Sequence, residues 1–249
     1  MSALSDRRRN LGPTDLVPVS VVEESRPNSL HTNVRPVFVS QGITANASGS
    51  SYYEAGDIKL IAAVHGPRQS RGTFSDQAEI DVNVNIAEFA GVPLQQDVSQ
   101  AVADFVRSSV TPVIILKEYP KSQIVINLTV LNGEGEATLL AGAVNAVVMA
   151  LVNAGIALHD MVTAISTGIV SSDAEVYVDS EFDDMDSVKQ LVAAYSVSTR
   201  KLVSMLVTSE TAVSKTDLRT LLDRAGTAAT ELRSLLNSFI LEDYVRERK

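Results

Sequence analysis

The stretch AGAVNAVVMALVNAGIAL, residues 141–158, is apolar almost all the way round a helical wheel. A surface helix keeps one polar face, so a helix without one has to be enclosed. Ala, Gly and two Asn within the run argue against a membrane span. The sequence therefore predicts a buried helix from about Ala137 to Ala154, central to the core and stopped by Gly155.

Before it, from Pro36 onward, the period is two. Three strands are expected, with turns at Gly42, near Gly49 and at Glu54 to Asp57. In IKLIAAV, Ile58, Leu60, Ala62 and Val64 share one face. In EIDVNVNIA, Ile80, Val82, Val84 and Ile86 alternate with Glu79, Asp81, Asn83 and Asn85, which predicts a half-buried antiparallel strand. DVSQAVADFVRSSVTPVIILKEYP puts Val98, Ala101, Val102, Phe105 and Val106 on one helical stripe, with Pro112 expected to kink the helix and Pro120 to end it. SQIVINLTVLNG is a strand with Ile124, Ile126, Leu128 and Val130 on one face.

Beyond the buried helix, MVTAISTGIV and AEVYVD predict one hairpin and VKQLVAAYSVSTRKLVSMLVTS a second. Thr216 to about Tyr244 predicts a long amphipathic helix whose stripe is Leu218, Leu221, Leu222, Ala225, Leu232, Leu235, Leu236 and Phe239. This order is that of an α+β chain with mixed, mostly antiparallel sheets, a duplicated βα unit and a long C-terminal helix. Residues 1–30 hold Pro13, Pro18, Pro27 and three successive arginines without a sustained apolar period, so an extended or partly disordered arm is expected. Residues 31–249 are expected to form a single domain.

The totals exclude several function classes. There is no cysteine among the 249 residues, hence no disulfide, thiolate zinc site or cysteine nucleophile. The net charge is −9 and tryptophan is absent, so strong unaided binding of nucleic acid is not expected. No secretory signal is apparent, and no membrane partner is expected. His31, His65 and His159 match no metal spacing. There is no G-x-S-x-G elbow, and GEGEAT lacks the Lys-Ser/Thr end of a P-loop. His65 is expected at a turn. One feature opposes the acidic balance: HGPRQSRGTF places Arg68 and Arg71 in a Gly/Pro loop just ahead of a strand.

Taken in order, GSSYYEAGDIKLIAAVHGPR (49–68), LKEYPKSQIVI (116–126) and AGAVNAVVMALVNAGI (141–156) resemble blocks of the RNase PH family, more narrowly the RNase PH-like ring subunits of the eukaryotic RNA exosome. The opening DRRRNLGP (6–13) is similar to one subunit type of that ring. The resemblance covers roughly residues 30–245. It implies the RNase PH-like fold (ribosomal protein S5 domain 2-like). Active members cleave RNA by phosphorolysis, and their anion loop resembles Asp-Gly-Gly-Thr-Arg at the start of the buried helix. Aligned on Asn145, its threonine and arginine fall here at Leu139 and Leu140. Leucine cannot hold a phosphate as arginine does, and Glu134 and Glu136 at the same helix start would repel one.

The family's arginine-rich patch before its first long helix falls on GVPLQQDVSQ, which has no Arg or Lys. Of its acidic pair six residues apart, Asp179 is present but Met185 stands at the second place; Asp183, Asp184 and Asp186 lie nearby, and Asp179, Asp183 and Asp184 are weak metal candidates at most. The resemblance thus implies a non-catalytic structural subunit needing no cofactor. Its implied partners are other RNase PH-like subunits in a hexameric ring, S1/KH cap subunits and RNA passing through the channel. Arg68 and Arg71 would lie near the channel neck, and the implied location is the nucleus, including the nucleolus, and the cytoplasm. The competing expectation is an active phosphate-dependent 3′-to-5′ exoribonuclease with a relocated site.

Overall fold

The computed structural model describes residues 32–70, 75–90, 96–133, 135–170, 175–179, 188–209 and 212–247. The expected arm therefore lies outside the described residues, as do Arg71, Glu134, Asp183 and Asp184. In chain order the elements are β1 (Val37–Gln41), β2 (Gly49–Ala55), β3 (Ile58–Gln69), β4 (Glu79–Ile86), α1 (Gln96–Val110), β5 (Ser122–Asn132), α2 (Glu136–Asn153), β6 (Val162–Val170), β7 (Val176–Val178), β8 (Val188–Ser196), β9 (Lys201–Ser209) and α3 (Lys215–Glu247).

Two sheets form, ordered β1-β2-β3-β5-β4 and β7-β6-β8-β9. Period-two patterning builds the first from rows that cross all its strands. Val39, Tyr53, Leu60, Val130 and Ile86 are one such row, each residue opposite the next. Its apolar face packs on α1 and α2. β4 departs from expectation: it pairs parallel with β5. Alternation reports which face is buried, not strand direction. Here α1 carries the chain across between β4 and β5, and a helical crossover returns the next strand parallel.

α2 is enclosed on every side. Fifteen successive residues, Ala137 to Leu151, are buried, with β2 and β3 on one flank and β6 and β8 on another. It is long and apolar enough to cross a membrane by composition, but its surroundings are protein. Asn145, the one carboxamide buried within that run, is fully used. Its side chain donates to the Ala164 carbonyl and accepts from the Ala164 N–H, each at 2.9 Å. Close approach is also built in at Gly49, where an added Cβ would meet the Ala154 nitrogen of α2's end at 2.2 Å.

α1 stops at Val110 and is not kinked at Pro112, because the residue before a proline is pushed out of the helical region. α3 buries Leu221, Ala225, Ala228, Ala229, Leu232 and Leu236, while Leu235 of the expected stripe is 41% exposed. On the helical wheel Leu235 stands at one margin of that buried stripe.

Candidate functional site

The start of α2 is where the resemblance leads the family's anion loop to be expected. Gly135 caps the helix at φ 52° without a side-chain cap bond, and Thr138 turns its hydroxyl back to the Gly135 carbonyl at 3.1 Å. Leu139 and Leu140 are 1% and 0% exposed. Their side chains are core, so no donor projects from these positions toward a ligand. Glu136 is exposed in the first turn, where a carboxylate favours the helix dipole and opposes an incoming anion.

Asp179 follows directly on β7, at φ 50°, a left-handed conformation that Asp tolerates better than most residues. That turn aims its carboxylate inward. Arg35, 5% exposed and two residues ahead of β1, donates from Nε to Asp179 Oδ2 at 3.0 Å. Ser166 of β6 reaches Oδ1 at 3.5 Å, and the Asp179 N–H donates to the Ser166 carbonyl at 2.8 Å. Tyr53 of β2 lies close enough to feel this charge: burial first, then the Asp179 carboxylate, pushes its phenol well above the usual range. Asn145 donates to Tyr53 Oη at 3.4 Å.

This cluster draws on β1's approach, β2, α2, β6 and β7, and so joins both sheets. The remaining space is a cavity of about 10 Å³ lined by Tyr53, Thr138, Gly142, Asn145, Ile165 and Asp179 among others. Such a void admits about one water molecule, not a phosphate. No group of three or more metal-ligating side chains occurs among the described residues.

The arginine loop is placed differently from its expectation. His65, Gly66, Pro67 and Arg68 belong to β3, not to a turn. His65 pairs with Val125 and Arg68 with Gln123, with a register shift between the two pairs. Gly66 permits this: its φ is 137°, and a Cβ there would meet the Gln123 carbonyl at 2.7 Å. Pro67 and Arg68 are exposed, so Arg68 stands at the exposed end of β3, whereas Asp179 follows β7 of the other sheet. Of the candidates, Arg68 and Asp179 are described and they stand on different sheets; Arg71, Asp183 and Asp184 lie outside the described residues. The residue missed by sequence reasoning is Arg35. Its only signal was a lone arginine between Val34 and Pro36, 144 positions from its partner.

Residues 33–157 match the model of the RNase PH family, described as 3′ exoribonuclease family, domain 1. The exosome complex component mtr3 of Schizosaccharomyces pombe is 28% identical over 190 residues, spanning 73% of this chain and 74% of that protein. Among solved structures, rice (Oryza sativa) Rrp46 superimposes with a TM-score of 0.71 at 22% identity, covering 84% of this chain and 96% of that one. An Archaeoglobus fulgidus exosome chain, from a structure with RNA bound to the active site, gives 0.67 at 19% identity, covering 82% and 89%. The fold implied by the resemblance is the fold observed.

Proposed function

Because this chain belongs to the RNase PH family of 3′ exoribonucleases, we propose that it is a non-catalytic subunit of an RNA exosome core ring, acting in 3′-to-5′ RNA processing by scaffolding the ring and lining its channel. The observation that carries the reading is the state of the anion position. Two buried leucines, Leu139 and Leu140, occupy it. The retained family carboxylate, Asp179, is committed to Arg35 in a space too small for phosphate. Phosphorolysis needs cationic donors for the attacking phosphate beside a free acid; Leu139 and Leu140 supply no donor, and Asp179 is paired with Arg35. The likeness to the fission-yeast mtr3 component supports ring membership.

In this role the work is assembly. Other RNase PH-like subunits flank the chain and S1/KH proteins cap it, in the nucleus and the cytoplasm. The chain's net charge of −9 suits docking against basic neighbours and disfavours wrong partners. Arg68, exposed at the end of β3, together with Arg71, would contact phosphates of passing RNA without reading sequence. Affinity purification of the tagged full chain tests the proposal. Stoichiometric recovery of other RNase PH-like chains and S1/KH proteins is the expected result, and recovery of the chain alone under gentle lysis would overturn it.

A further inference from the structure

The five-stranded sheet has two faces, and α1 and α2 pack on one of them. α2 meets the face that carries Tyr53 and Leu60: a Cβ on Gly142 would lie 3.5 Å and 3.2 Å from their side chains. Side chains alternate along a strand, so Phe38 of β1, Tyr52 of β2 and Ile61 of β3 point the other way. There they gather. Tyr52 stands opposite Ile61, and the Phe38 and Tyr52 rings meet edge-on with centroids 6.3 Å apart. Phe38 is 54% exposed, and Tyr52 and Ile61 are half-buried.

Polar groups border this patch. Glu54, opposite Phe38 on β2, pairs with Lys59 of β3 at 3.5 Å and accepts from the Tyr52 hydroxyl at 2.8 Å. On the far side, Thr129 and Asn85 continue the row beyond Ile61. Apolar side chains gathered inside a polar rim mark an interaction surface.

The chain carries a matching segment ahead of β1. Residues 16–22, LVPVSVV, hold five aliphatic side chains and no charge. Pro18 has no N–H, so the run suits packing on a face better than a central place in a ladder. The tether also fits. Thr32, the first described residue, is fixed against α3, its carbonyl accepting from the Arg224 guanidinium. From Thr32 to Phe38 the chain spans at most about 21 Å, whereas from Val22 to Thr32 it reaches about 33 Å. A segment tethered at that range has a local concentration of about a millimolar, above that of a separate partner present at micromolar levels.

We propose that residues 16–22 fold back onto the outer face of the five-stranded sheet and cover Phe38, Tyr52 and Ile61. The occupant is a segment of the same chain, held by apolar contact. This cover neither rests on the ring role nor alters it.

Thiol labelling of the purified full chain tests the proposal. The chain has no cysteine, so Val21→Cys supplies a single thiol of apolar character. Under native conditions it should react with a maleimide at least tenfold more slowly than the same variant unfolded in urea. Adding Phe38→Asp should restore the rapid rate with an unchanged circular dichroism spectrum, the Phe38 side chain being largely open. Adding Phe89→Asp instead should leave the slow rate as it is, because Phe89 is 76% exposed and follows β4, at the edge of the sheet opposite β1. A native thiol as reactive as the unfolded one, or a protected thiol indifferent to Phe38→Asp, would overturn the proposal. So would protection that fades on dilution through the micromolar range, since a second copy would then be the cover.

Discussion

Replacing Arg35 by methionine keeps most of the aliphatic stem and removes the guanidinium. The consequence follows from the burial of both partners, whose side chains are 5% and 12% exposed. Asp179 would be left as a carboxylate in a cavity that admits about one water. Breaking a buried pair from one side costs about 3–5 kcal/mol, far more than the pair contributes relative to an apolar replacement. For a chain of this length each kcal/mol lowers Tm by about 2–4 °C, so Arg35→Met should lose roughly 6–20 °C. The partner variant, Asp179→Asn, keeps a residue that tolerates the left-handed backbone at φ 50° and removes the charge instead. Combined, the two changes remove both charges of this pair, and the double variant should be more stable than the sum of the single losses by about 2 kcal/mol or more. Urea unfolding followed by circular dichroism measures all three. A loss below about 1 kcal/mol for Arg35→Met, or additivity within about 0.5 kcal/mol, would refute the coupling argued here.

Gly49→Ala should lower stability by about 1–3 kcal/mol or more in the same assay, because the new Cβ would fall 2.2 Å from the Ala154 nitrogen and 2.6 Å from the Ala150 carbonyl. Burial raises the Asp160 carboxyl, but hydrogen bonds from Ser196, Ser198 and the Met161 and Ser198 N–H groups outweigh it and hold it below the usual value. That stability is present above the unfolded value near about 3.9 and is lost as pH falls through the lower folded value; Asp160→Asn should flatten the acid limb of a Tm-against-pH curve, and an unchanged limb would contradict this. Arg68→Glu with Arg71→Glu should weaken RNA passage through the assembled ring and leave assembly intact, read by RNA protection and by co-purification; loss of assembly would make this strand end an interface instead.

What the sequence made legible was set by short-range periodicity. Ile58, Leu60, Ala62 and Val64 alternate, and all four are buried. The unbroken apolar run of α2 announced its own enclosure. Direction was not legible: β4 reads the same whether parallel or antiparallel, and only the α1 crossover decides. HGPR reads as a turn because Gly and Pro usually make one, yet the Gly66 backbone and the shifted pairing with β5 keep it within a strand. At the candidate site, Leu139 and Leu140 could be read directly from the sequence, and both are buried. The fate of Asp179 was not, because its partner stands 144 residues away and no local pattern connects Val-Arg-Pro at 34–36 with the end of β7.

Whether this chain carries phosphorolytic chemistry is decided by a single assay. The purified full chain is incubated with single-stranded RNA, magnesium and inorganic phosphate, and nucleoside diphosphates are quantified against a catalytic RNase PH as positive control. No diphosphate above the level of a phosphate-free blank is expected. Phosphate-dependent release by this chain, persisting through purification and abolished by Asp179→Asn, would contradict it.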